Sequence, residues 1–131
     1  MQRTPINPVS WSQNLGFDQA ELVEGHQRQL FVSGQDAVDA DGNPQHPGDM
    51  AAQIEMAVDN LQAILTEAGM SLADVVRLGL YTTDFDDLLT NWAGLTGRFE
   101  GSAGGFATTL LEVSRLPAPG LLVMLEATAV G

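Results

Sequence analysis

The stretch that decides the fold is FATTLLEVSRLP, residues 106–117, which continues through a short turn into LLVMLEATA, residues 121–129. Strand side chains alternate between two faces, so the pattern predicts a hairpin. Its apolar face comprises Thr109, Leu111, Val113, Leu121, Val123, Leu125 and Ala127. Its other face mixes apolar groups with two carboxylates, and comprises Thr108, Leu110, Glu112, Ser114, Leu122, Met124, Glu126 and Thr128. A mixed face of this kind suits a semi-buried interface or a lined cleft.

Composition narrows the classes of function. The 131 residues fit one domain, and 17 acidic side chains against 5 arginines, with no lysine, give a formal net charge of −12. Nucleic-acid and anionic membrane partners are disfavoured, because both need a cationic surface. The absence of cysteine excludes disulfides and thiolate nucleophiles. No signal peptide or membrane-spanning stretch is visible, so we expect a cytoplasmic protein.

The periodicity of the remaining sequence predicts an α+β fold. The predicted elements are an irregular lead-in over residues 1–16 that buries Trp11, strands over 17–25 and 29–35, a helix between its N-cap Asp49 and Gly69, a strand over 75–83, a helix from Asp84 to Phe99, and the hairpin. Two helices then cover one face of a single mixed sheet. The other face is too apolar to remain exposed to solvent, so we expect an oligomer in which the sheets of different subunits pack against one another.

Candidate metal and phosphate sites are weak in this sequence. The run from Asp39 to Asn43 resembles a calcium loop. Its glycine, however, comes at the fourth position rather than the sixth, and Met50 stands where the loop needs a bidentate glutamate. His26 and His46 are isolated, and the Gly101–Gly105 loop lacks the lysine of a P-loop. We therefore predict no metal and no cofactor, and expect the glycine loop to shape the mouth of a cleft.

Several runs together carry a family resemblance. LFVSGQ at 30–35, LEVSRLP at 111–117 and LEATA at 125–129 resemble the Rid family, the YjgF-like reactive-intermediate deaminases. The resemblance implies a chorismate-mutase-like fold, a homotrimer, and a small-molecule cleft at each subunit interface. It also implies hydrolysis of 2-imino or enamine acids, in which an arginine grips the substrate carboxylate and a glutamate positions the attacking water.

Three of the residues that deaminase members use are replaced in this chain. By the resemblance, Thr108 stands in the place of the arginine, Phe17 in that of a tyrosine and Met124 in that of the water-positioning glutamate. A charged hydrogen bond contributes about 1.5–3 kcal/mol, so threonine should weaken carboxylate capture roughly ten- to a hundredfold. Arg98 and Arg28 are the candidate substitutes.

The resemblance implies a cleft lined by seven residues with one candidate catalytic carboxylate, Glu126. The ligand-binding residues are Phe17, Ser33, Gly34, Asn91, Thr108, Leu110 and Met124. Glu126 would direct water, or would accept structural hydrogen bonds at an interface. Two hypotheses follow: an imine or enamine deaminase with altered substrate preference, and a non-catalytic ligand-binding trimer for sensing or sequestration. Ribonuclease activity, a third interpretation, fits poorly with the charge and with the lack of a histidine pair.

Overall fold

The computed structural model describes residues 1–100 and 105–131, and it has an α+β architecture. Of the predicted Gly101–Gly105 loop, only Gly105 lies within the described residues. The elements are β1 (Gln2–Ile6), β2 (Ala20–Glu24), β3 (Gln29–Gln35), α1 (Met50–Glu67), β4 (Val75–Thr82), α2 (Phe85–Thr90), α3 (Trp92–Gly97), β5 (Ala107–Glu112) and β6 (Val123–Val130), with short 3-10 turns at Gln13–Leu15 and Leu72–Asp74. None of the helices in these ranges combines the length and the apolar character needed to cross a bilayer.

The main sheet has four strands in the order β3-β6-β4-β5. Strand β6 runs antiparallel to β3 and β4, whereas β5 runs parallel to β4. The predicted hairpin between residues 106–117 and 121–129 is therefore wrong, because β4 lies between its two strands. A parallel pair needs a long crossover, and α2 and α3 supply it between β4 and β5.

The N-terminal residues form a second, two-stranded sheet. Strands β1 and β2 pair antiparallel, from Gln2 opposite Glu24 to Ile6 opposite Ala20. The predictions of an irregular lead-in and of one single sheet are both wrong here. Trp11 is 57% exposed rather than buried. The run QRTPI includes the strand formers Thr4 and Ile6 but does not alternate, and it contains a proline, so the sequence offered only a weak signal for β1.

The core lies between α1 and one face of the main sheet. Asp49 caps α1 as predicted, accepting a hydrogen bond from the Ala52 amide at 3.1 Å. The buried stripe of α1 packs on strand side chains that include Leu78 and Leu125. Gln53, expected on the outer side of α1, is fully buried. Its amide donates to the carbonyls of His46 and Gly120 and accepts from the Leu122 amide, which joins two loops to the helix.

The predicted helix from Asp84 to Phe99 is divided at Asn91. The Asn91 side chain donates to the Asp87 carbonyl at 2.9 Å and to its carboxylate at 3.1 Å. Such local hydrogen bonds compete with continued helix, and α3 begins at the next residue. The indole of Trp92 donates to the Leu15 carbonyl at 2.6 Å, which ties this break to the N-terminal segment.

The two strands of the deciding stretch differ in how well their faces were predicted. On β6, Val123, Leu125 and Ala127 are buried as expected. On β5 the assignment is reversed, since Thr108 lies opposite Leu78 and Leu110 opposite Leu80, both of which are buried on the helix side. Thr108, Leu110 and Glu112 thus point to the helix-covered side, and Thr109 and Leu111 to the other.

Candidate functional site

The side of the main sheet away from the helices, called here the open face, carries both polar and apolar side chains. Its members are Phe31, Arg77, Gly79, Tyr81, Thr109, Leu111, Met124, Glu126 and Thr128. Phe31 is 74% exposed and Leu111 is 51% exposed. These two large apolar groups lie on the two edge strands of the sheet, β3 and β5.

Two glycines flatten the open face. A Cβ atom at Gly34 would overlap the thioether of Met124, and one at Gly79 would lie 2.9 Å from Glu126 Cγ. The β6 side chains can therefore lie across the neighbouring strands only because those strands carry glycine at these points. The result is a level surface on which Met124 covers β3 and Glu126 covers β4.

The carboxylate of Glu126 is held by a phenol. The Tyr81 hydroxyl donates to Glu126 Oε1 at 2.6 Å. This hydrogen bond to an anion is the main cause that raises the pKa of Tyr81, with burial second. Arg77 lies on the same face and donates to Thr109 Oγ1 at 3.3 Å. The sequence did not reveal Tyr81, because it stands in a continuous apolar run and its partner is 45 residues away.

Four of the predicted ligand-binding residues lie away from the open face. The Thr108 hydroxyl donates to the Leu78 carbonyl at 2.6 Å, and Leu110 packs against the core. Asn91 is engaged with Asp87 in the break between α2 and α3. Phe17 meets Trp11 edge-to-face, with ring centroids 5.9 Å apart.

Within one chain, the predicted site is therefore split. The structure brings Gly34, Met124 and Glu126 together on the open face, and Ser33 precedes Gly34 on an exposed part of β3. The contacts described for Phe17, Asn91, Thr108 and Leu110 are with other parts of the fold.

Neither arginine named as a substitute reaches Thr108. Arg98 makes ion pairs of 2.7 Å with Glu55 and with Asp59, and Arg28 donates to the Ala68 carbonyl at 2.9 Å. Both guanidinium groups are therefore engaged on α1 or at its C-terminal end. Arg115 is exposed beside a cavity of about 630 Å³ formed by the turn before β6.

Comparison with known proteins identifies the family. A family model described as Endoribonuclease L-PSP matches residues 17–131. The chain belongs to the Rid family. It is 36% identical over 100 residues to a RutC family protein of Pyrococcus abyssi, covering 76% of each chain. It is 35% identical over 85 residues to the 2-iminobutanoate/2-iminopropanoate deaminase of Escherichia coli K12, covering 64% of this chain and 66% of that one.

Solved structures agree with the family assignment. A Rid family protein of Yersinia pestis, described as of unknown function, superposes with a TM-score of 0.87 at 34% identity over the full length of both chains. The predicted Rid membership and the α+β Rid fold are thus confirmed. Among residues 1–100 and 105–131, no group of three or more metal-binding side chains could hold an ion in this Rid chain.

Proposed function

We propose that this Rid chain forms a homotrimer through its open face and binds a small metabolite in clefts shared between subunits. The exposed Phe31 and Leu111 support closure of this face, because burying each would contribute about 1.5–3 kcal/mol. The split of the site supports shared clefts. Ser33, Gly34, Met124 and Glu126 of one chain would face Phe17, Asn91, Thr108 and Leu110 of the next.

The reaction proposed for the cleft is hydrolysis of an imine or enamine, with a substrate preference that differs from that of the imino acid deaminases. Support comes from the relative in Escherichia coli that is named a 2-iminobutanoate/2-iminopropanoate deaminase. In this reaction water adds to the imine carbon, and the C–N bond breaks to give a carbonyl compound and ammonia. Glu126 has one oxygen engaged by Tyr81, and its second oxygen remains to accept a proton from that water.

The altered substrate preference is inferred from the hydrogen bonding and the lack of charge of Thr108. Its hydroxyl is already engaged by the Leu78 carbonyl at 2.6 Å, and it has no charge to offer a carboxylate. Of the arginines, Arg98 and Arg28 are engaged elsewhere. The loss of charge at position 108 therefore favours an imine or enamine without a carboxylate next to the reacting carbon.

The non-catalytic alternative is a trimer that only binds its ligand. The observation that favours it is Met124, whose thioether lies against Gly34 where deaminase members are expected to hold a glutamate. A thioether does not take a proton from water. The ligand would then be retained without conversion.

Ammonia release distinguishes these functions. We expect the wild-type protein to release ammonia from a freshly generated 2-imino acid at least tenfold more slowly than the Escherichia coli deaminase, because a charged contact is missing. Thr108→Arg should restore part of that rate. Thr66→Arg, which adds the same charge on the exposed side of α1, is the matched control and should change nothing.

Two outcomes would contradict the proposal. A wild-type rate equal to that of the deaminase would show that Thr108 does not limit carboxylate capture. Equal gains from Thr108→Arg and Thr66→Arg would show that added charge, rather than its position, drives the reaction. If the protein binds imines but hydrolyses none of them, with or without a carboxylate, the non-catalytic alternative holds.

A further inference from the structure

The two-stranded sheet, with the residues that connect β1 to β2, forms an N-terminal arm (residues 1–24) whose polar contacts with the rest of the chain include those of Arg3, Leu15 and Asp18. Arg3 donates to the carbonyls of Ala73, Val75 and Gly105. The Asp18 amide donates to the Phe106 carbonyl at 3.0 Å. Strands β1 and β2 pair with each other and not with the four-stranded sheet, and the arm meets the start of β5 through a short bridge between Asp18 and Ala107.

Two carboxyl groups meet at this docking point. Asp18 is nearly buried, and its Oδ1 accepts a hydrogen bond from Asn7 at 2.8 Å. A Cβ atom at Gly105 would overlap Asp18 Oδ2 and would lie 3.3 Å from Glu21 Oε1. Both carboxyl groups therefore converge on the backbone of Gly105, and only glycine leaves room for them.

Glu21 has no donor of its own in this environment. Both of its oxygens are shielded from solvent and accept no hydrogen bond from the described residues. Two adjacent carboxylates without a donor repel each other, whereas one shared proton turns the contact into a strong hydrogen bond. Burial, first, and the neighbouring Asp18, second, together raise the pKa of Glu21 to about 8, against the opposing positive charge of Arg3.

Two other charged groups near this pair are directed elsewhere. Asp74, next to a carbonyl acceptor of Arg3, turns its carboxylate to the Ser71 amide at 2.8 Å. Glu24 lies on β2 with Glu21 but is exposed. The protonation of the pair is thus governed by Asp18, Glu21 and Arg3, together with burial.

We propose that Asp18 and Glu21 share one proton and act as a pH-sensitive latch that docks the N-terminal arm at the start of β5. When the arm opens, Glu21 enters water and its pKa returns to the ordinary 4.5, so opening releases the proton. The docked state gains most from the latch below pH 4.5 and loses that gain as the pH rises to about 8.

The latch predicts a specific pH dependence of arm opening. The equilibrium constant for opening rises by up to about tenfold per pH unit between the two pKa values and levels off above them. Phe17 precedes Asp18, so opening also displaces a proposed ligand-binding side chain; this consequence rests on the proposed function, whereas the latch does not.

Hydrogen exchange of the Asp18 amide tests the latch, because this amide bonds across the docking point to Phe106. We expect the protection of the wild-type amide, corrected for intrinsic exchange, to fall by up to about a hundredfold from pH 6 to pH 8. Glu21→Gln supplies a permanent donor and should abolish this dependence. Glu24→Gln removes an exposed carboxylate from the same strand and should keep the wild-type slope.

A second variant covers the case in which the first does not fold. Asp18→Asn removes the carboxyl neighbour but leaves Glu21 buried and titratable, so the pH dependence of protection at this position should be weaker than in the wild type and should not vanish. The latch is overturned if wild-type protection is constant between pH 6 and pH 8. It is also overturned if Glu21→Gln retains the slope of Glu24→Gln, or if the slope of Asp18→Asn is as steep as that of Glu24→Gln. None of these measurements uses a ligand or substrate, so they stand apart from the ammonia assay.

Discussion

The two faces of the four-stranded sheet are made by the same strands and differ in what covers them. On the covered face, Leu78, Leu80 and Leu125 are fully buried beneath the helices. On the open face, Phe31 and Leu111 remain accessible, and glycines make room for the β6 side chains. The difference shows that strand alternation separates two sets of residues, while the neighbouring elements decide which set forms the core.

The largest expected effect is a difference in the free energy of unfolding between substitutions at two adjacent residues of β6. Leu125→Ala should lower the free energy of unfolding by about 2–5 kcal/mol, because it leaves a cavity in the packed covered face. Met124→Ala should lower it by about 1 kcal/mol or less, as expected for a partly exposed side chain. Urea denaturation of both variants checks this. Equal losses would mean that the open face is as fully enclosed as the covered face in the protein in solution.

The next effect concerns assembly through the open face. Phe31→Asp places a charge on the open face, within the proposed interface, and should weaken association by about 2–4 kcal/mol at each contact, enough to yield monomers at micromolar concentration. Leu89→Asp, at a 48% exposed position on α2, is the matched control and should leave the trimer intact. Light scattering measures both masses. A wild-type protein that remains a monomer on concentration would remove the proposed shared clefts.

Comparison of the two faces also shows how far sequence reasoning reached. The faces of β6 were predicted correctly, because alternating apolar and polar residues identify a strand with one buried side. The same reasoning failed for β5, where Leu111 looked like a core residue and Thr108 did not. The face of β5 is set by its parallel register with β4, which local sequence does not encode.

The contacts that give the candidate site its geometry could not be predicted from the sequence, for a related reason. Tyr81 and Glu126 are 45 residues apart, and Arg3 meets Gly105 across 102 residues. Family resemblance identified Glu126 and Gly34 as candidates because it compares residues with those of folded relatives. It did not identify Asp18, Glu21 or Tyr81, since their roles follow from neighbours that only the tertiary structure shows.

The smallest expected effect is a shift in the pKa of Tyr81, which reports on the polar part of the open face. Tyr81 is the only tyrosine of the chain, so ultraviolet titration of phenolate reports one group. Glu126→Gln removes the anion that raises the pKa of Tyr81, and the pKa should fall toward the ordinary value. Because the raised pKa belongs to the folded state, the hydrogen bond stabilises the fold below the ordinary pKa and loses this effect as the pH rises through the raised one. The control is Glu112→Gln. Glu112 caps α2 through the Phe85 amide, so this variant should leave the titration of Tyr81 unchanged. An unchanged titration in Glu126→Gln would mean that Glu126 does not accept a hydrogen bond from Tyr81 in solution and that its carboxylate is free to take another partner.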